Sequence, residues 1–166
     1  MWVRAIVAPR GRSGWGFGPT RRFPPGRFPY HSPMIRPRRV WLFAPAGSLF
    51  ALDVALTLLG QDSAYWNGAL QTANEANPIA RPLLATSPWL FAGLAVLWAT
   101  VLAAVIVAWE SRWSNLLAMV VAFAHALGGS SWLLHTGEWG FAFAGGYLVL
   151  AAQFCFWCWK KSTAEP

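Results

Sequence analysis

Residues 89–109 read WLFAGLAVLWATVLAAVIVAW: 21 consecutive positions without a charge, with one hydroxyl, that of Thr100, and with tryptophan at both ends. A helix rising about 1.5 Å per residue covers about 30 Å over that length, which is the hydrocarbon thickness of a bilayer. Trp89 and Trp109 then fall at the two water interfaces, where an amphipathic indole is most stable. Leu, Ala and Val dominate, with no alternation of polar and apolar positions. The stretch therefore reads as a transmembrane helix and not as a strand of a membrane barrel.

Working outward, three more apolar runs of similar length occur, at residues 40–60, 116–135 and 139–159, the last again framed by Trp139 and Trp159. They imply an all-α membrane protein, a bundle of four transmembrane helices over residues 40–159, with a short tail at 160–166 and no room for a second folded domain. The composition of the 166 residues agrees: 56% are apolar, 11% are charged, and the mean hydropathy is +0.39. A soluble domain carries about 25% charged residues, so function classes that need a water-soluble surface are excluded.

The formal charge is +7, and its distribution matters more than its size. Nine of the 13 basic residues lie at or before Arg39, while the first acid is Asp53. In a membrane protein such asymmetry is first a topology signal, second a means of binding anionic lipid headgroups, and only last a sign of nucleic-acid binding. With the N-terminus inside, the cytoplasmic side holds Arg36, Arg38, Arg39, Arg112, Lys160 and Lys161, and the outer side only Arg81. The expected orientation is N-in and C-in. Residues 1–39 are rich in Pro, Gly and Arg and sustain no hydrophobic period, so they read as a disordered tail. A start at Met34, directly before the first apolar run, is an equal alternative, and His31 in that tail carries no signal.

Short turns make the second and third spans, and the third and fourth, antiparallel neighbours. Ala118, Ala122, Ala126 and Ser130 form a ridge of small residues on the third span, for which Ala142 and Gly146 on the fourth offer a counterpart. Between the first two spans, residues 61–88 are too long for a simple turn and should contain a helix of their own. Asn77-Pro78 suits its start, with Asn77 as N-cap, Pro78 in the first turn, and Glu75 nearby as an ordinary solvated acid.

Asp53 is the most demanding residue in the chain. It lies 13 positions beyond residue 40, near mid-bilayer, where an aspartate costs about 2.5–3.5 kcal/mol. It should therefore face the bundle interior and have a partner. Thr57 is one turn further along the same face. On the third span His125 falls at nearly the same depth, with Ser130, Ser131 and His135 continuing outward, and Glu75 could reach down from the loop. Asp53, Glu75 and His125 have the ligand types of a divalent-metal site, or the acid and base of a hydrolytic centre, with Thr57, Asn77, Ser130 and His135 as further binding candidates. Against this stands a purely structural Asp53–His125 hydrogen bond. Cys155 and Cys158 form a Cys-x-x-Cys pair among aromatics at the inner end of the fourth span. A pair supplies only two of the four zinc ligands, and aromatic surroundings make thiols inert, so packing is their expected role.

The order Asp53-x-x-x-Thr57 on a first span followed by Glu75-Ala76-Asn77-Pro78 resembles a small family of bacterial integral membrane proteins of unknown function, with an Asp-containing helix and a Glu-x-Asn-Pro motif. The likeness covers roughly residues 49–107 and implies a location in the bacterial inner membrane without assigning an activity. Members commonly carry a Lys in the second span, which residues 89–109 do not have.

Three readings follow. The leading one is a non-enzymatic scaffold or partner-binding membrane protein with Asp53, Thr57 and His125 in a buried polar network. The alternative is a membrane enzyme or divalent-metal-binding protein with an outer-leaflet site made by Asp53, Glu75 and His125. The third is a small oligomeric transporter. All three place the chain in contact with lipid, and leave open a homo-oligomer or a membrane-protein partner.

Overall fold

Side chains that cap, pair or intercalate decide where each helix begins and ends in the computed structural model, which describes residues 37–163. The expectations of a disordered tail, of a start at Met34 and of a silent His31 lie outside those residues, as does the last part of the C-terminal tail. Helix α1 runs over Pro37–Leu59, α2 over Ser63–Trp66, α3 over Ala80–Thr86, α4 over Pro88–Ala108, α5 over Arg112–Leu133 and α6 over Gly140–Thr163. Short 3-10 turns at Leu70–Thr72 and Gly137–Trp139 complete the order. Four helices, α1, α4, α5 and α6, are long and apolar enough to cross a membrane. No strand occurs among the described residues.

Helix α1 begins at Pro37, ahead of the expected residue 40, so Arg38 and Arg39 are helical and not part of a tail. Proline is well suited to a first helical turn, where its missing N–H has no partner to lose. The physical reason for the early start is Arg39. Its guanidinium donates from Nε and Nη2 to the carbonyl of Ile106 at 2.9 and 2.7 Å, from Nη2 to the carbonyl of Trp109 at 2.9 Å, and also to the hydroxyl of Ser114. These are orphan carbonyls at the C-terminus of α4, where a cation also meets the negative end of the helix dipole. Ser114, fully buried, donates its own hydroxyl to the Trp109 carbonyl at 2.6 Å. Arg39 thereby ties together one end of α1, α4 and α5.

Helix α1 forms the centre, with its most extensive contact to α5 and smaller ones to α6 and α4. The expected ridge is real: Ala118, Ala122, Ala126 and Ser130 are all buried. Leu42, Ala46 and Leu49 of α1 and Ala151 of α6 pack in the same cluster as its alanines. The expected counterpart is corrected. Ala142 and Gly146 are exposed on α6, whose buried face carries Ala144, Ala151 and Cys158. Tyr147 sets that rotation, because its ring lies against Gly129 of α5, where an added Cβ would meet the phenol oxygen at 2.9 Å.

A second difference concerns α4 and α5. Although joined by a short turn, they touch little, and α4 leans on α1. Away from the Arg39 end they part, and the segment between α1 and α4 covers the opening. That segment is itself well built. Gln61, buried, donates from Nε2 to the carbonyls of Thr57 at 2.7 Å and Asn74 at 3.0 Å, and its Oε1 accepts from the Asn74 N–H at 2.8 Å. Asp62 caps α2 by accepting from the Tyr65 N–H at 2.7 Å. Gly68 takes φ of 104°, a left-handed conformation that other residues adopt at a cost. Tyr65, Ala73, Leu84 and Phe91 form a small second core beneath the segment.

Candidate functional site

Two helical stripes define the site. On α1, Phe50, Asp53, Val54 and Thr57 fall at i, i+3, i+4 and i+7, hence on one face. On α5, His125, Gly128, Ser131 and Trp132 fall at i, i+3, i+6 and i+7, again on one side of the helix. The stripes meet at Asp53, whose Oδ2 lies 2.8 Å from His125 Nδ1. Gly128 makes this approach possible: a Cβ there would stand 2.6 and 2.8 Å from the two carboxylate oxygens of Asp53. The Phe50 ring meets the imidazole edge to face, with centroids 4.6 Å apart and planes at 75°. The pair that the cost of a mid-span aspartate demands is therefore present, between α1 and α5, the first and third of the long apolar helices.

The pair is not sealed. The side chains of Asp53 and His125 are 17% and 25% exposed, and both border a cavity of about 660 Å³ between α1, α4, α5 and the covering segment. Glu75, Asn77, Thr57 and Ser131 line the same cavity. With Nδ1 committed to the carboxylate, Nε2 is the ring nitrogen that remains for a ligand or a proton. A carboxylate that orients an imidazole in this way can support acid–base exchange at the cavity wall.

The loop residues are placed by capping chemistry. Asn77 Oδ1 accepts from the N–H groups of Ile79 at 2.9 Å and Ala80 at 3.4 Å, and its carbonyl accepts from Arg81 at 3.0 Å, so Asn77 closes the turn that leads into α3, while the N-cap position of α3 itself is Ile79 and not the expected Asn77. Glu75 is not merely a solvated acid. Its Oε1 accepts from the Asn77 N–H at 2.7 Å, and the half-buried side chain borders the cavity. At the other end of α3 the Tyr65 hydroxyl donates to the Leu84 carbonyl at 3.0 Å, and burial pushes its pKa above the ordinary value of 10.0.

Other candidates are not brought to this place. Ser130 is buried in the helix seam with its hydroxyl on the Leu127 carbonyl at 2.8 Å, and His135 Nδ1 contacts the Ser131 carbonyl at 2.8 Å beyond the end of α5. Among the described residues no three His, Cys, Asp or Glu side chains form a group that could hold a metal ion, so Asp53 and His125 meet without Glu75 as a third close ligand. Cys155 and Cys158 are free thiols, Cys158 wholly inside the bundle.

Sequence reasoning missed that Gly128 admits the Asp53 carboxylate, and it missed the cavity walls Phe91, Trp98 and Trp132 and the Gln61 clamp. The spacing of His125, Gly128 and Ser131 on one face was the available signal for the first. No family model, no curated protein and no solved structure matches the chain.

Proposed function

We propose that this chain is an integral membrane protein that binds a small ligand non-enzymatically, with the Asp53–His125 pair as its polar contact and Glu75 and Asn77 at the cavity rim. One observation carries the reading: two ionisable side chains from different spans are bonded to each other yet both open onto a cavity of about 660 Å³. A pair serving only to hold helices together is best sealed, because the low dielectric strengthens it and water weakens it. Ionisable groups left accessible inside a membrane domain are characteristic of ligand and proton sites, and cavities of about 300–1,000 Å³ enclose most of a drug-sized molecule. As part of the same proposal, the chain lies N-in and C-in in a bacterial inner membrane, supported by its inner Arg and Lys, and it belongs with the Glu-x-Asn-Pro family it resembles.

The test is thermal denaturation of the purified full chain with saturating cationic, anionic and neutral amphiphiles. A ligand of the folded site raises the melting temperature through RT ln(1 + [L]/Kd). At least one class is expected to do so, and Ala95→Trp, which fills the cavity from α4, to cancel the rise. If no class stabilises the protein, or if the rise survives Ala95→Trp, the cavity is not a ligand site.

A further inference from the structure

Resting on that site, we infer that its ligand is an amphipathic organic cation. The first ground is charge. Asp53 and Glu75 line the cavity with His125, and no Lys or Arg does so among the described residues. The lining therefore holds two carboxyl groups against a single imidazole. Arg81, the one cation in the covering segment, is exposed on α3 and outside the lining. An anion entering such a space meets like charge with no counter-ion, whereas a cation replaces the interactions it loses on leaving water.

The second ground is the remaining wall. Phe50, Phe91, Trp98 and Trp132 face the same cavity, and aromatic faces attract cations within about 6 Å of the ring centre, most strongly where water is excluded. The carboxylates of Asp53 and Glu75, set in a lining otherwise made largely of rings and of aliphatic side chains such as Leu83 and Leu94, suit a ligand with a charged group and a substantial apolar body. A bare metal ion does not fit, since no three ligating side chains gather there among the described residues. A neutral lipid has no use for two carboxylates. The class therefore covers hydrophobic amines and quaternary or phosphonium cations.

A matched pair of hydrophobic ions tests this directly. Tetraphenylphosphonium and tetraphenylborate have nearly the same shape and opposite charge. Each is titrated by equilibrium dialysis against the full chain in nanodiscs of zwitterionic lipid, with empty nanodiscs subtracted. The expected result is saturable, one-to-one binding of the phosphonium, at least tenfold tighter than any saturable binding of the borate. Glu75→Gln, at the rim and outside the helix seam, should weaken the phosphonium about tenfold and leave the borate unchanged or tighter, and Asp53→Asn should act in the same direction. Borate binding that equals or exceeds phosphonium binding, or phosphonium binding indifferent to Glu75→Gln, overturns the inference. If either ion binds and Ala95→Trp abolishes it, the site stands whatever its charge preference. If neither binds saturably, or binding survives Ala95→Trp, the site itself fails.

Discussion

Replacing Gly128 with alanine should have opposite effects on stability depending on what occupies position 53. In the wild-type chain the new Cβ would stand 2.6 Å from Asp53 Oδ2 and 2.8 Å from Oδ1, closer than atoms tolerate, so the carboxylate must swing off His125. A hydrogen bond to a charged group is worth about 1.5–3 kcal/mol. Against that loss, alanine in place of glycine within a helix gains about 0.8–1 kcal/mol. The expected net effect of Gly128→Ala is a loss of about 0.5–2 kcal/mol. In an Asp53→Ala background the carboxylate is gone and only the propensity gain remains, so the same substitution should stabilise by about 0.8–1 kcal/mol. Reversible unfolding in mixed micelles for the four proteins of the cycle gives both numbers and a coupling energy of about 1.5–3 kcal/mol. Equal costs of Gly128→Ala in the two backgrounds would show that Gly128 is not there to admit the carboxylate, and the geometry of the pair as described would be wrong.

Arg39→Ala should cost about 2–3 kcal/mol, since the lost hydrogen bonds are charge-assisted, and Arg39→Lys should recover less than half because a single ammonium nitrogen cannot reproduce the paired Nε and Nη2 contact with the Ile106 carbonyl. Equal stability of the Lys and Arg proteins would count against the capping role. Gln61→Leu leaves the Asn74 N–H and two carbonyls unpaired and should make residues 61–79 markedly more sensitive to limited proteolysis, at a cost of about 2 kcal/mol; an unchanged cleavage pattern would sink it. The Tyr147 hydroxyl is buried without a hydrogen-bond partner among the described residues, so Tyr147→Phe should raise stability by about 1 kcal/mol, and a clear loss would reveal a partner. Tyr65 has a raised pKa, so its neutral form is the one the fold favours. Its contribution is complete below pH 10.0, the ordinary value, and is lost as pH rises from there through the folded value. Tyr65→Phe should abolish that alkaline loss in pH-dependent melts, and an unaltered profile would assign it elsewhere.

Local and one-dimensional signals were the ones readable from the chain alone. The uninterrupted run at 89–109 declares a span because nothing else uses such a stretch. Asn77-Pro78 declares the turn into a helix because the Asn77 side-chain bonds involve only the next three residues, although the N-cap position itself falls at Ile79. Asp53 and His125 could be paired by depth, since a charge near mid-bilayer needs a partner and 1.5 Å per residue fixes its level. Rotation about a helix axis was not readable. In an alanine-rich chain every face offers small residues, so Ala142 and Gly146 looked as suitable as Ala144 and Ala151, and only the fit of Tyr147 over Gly129 decides between them. The parting of α4 from α5 was hidden for a related reason, because α4 is apolar all round and its sequence favours no side. Arg39 looked like a topology charge because its partners lie 67 to 75 residues away. Gln61 looked like any loop amide.

Those long separations give the chain a timetable. Arg39 and the carbonyl of Ile106 are 67 positions apart, and Ser114 is 75 positions from Arg39. At about 5–20 residues per second of synthesis, the guanidinium emerges roughly 3–13 s before its first acceptor exists. During that interval its partners in the finished bundle do not yet exist. When α4 arrives, its C-terminal carbonyls capture the arginine, and a chain truncated before Ile106 keeps an unclaimed cation at the head of its first span. The contact that fastens one end of the finished bundle therefore cannot form until α4 has been made.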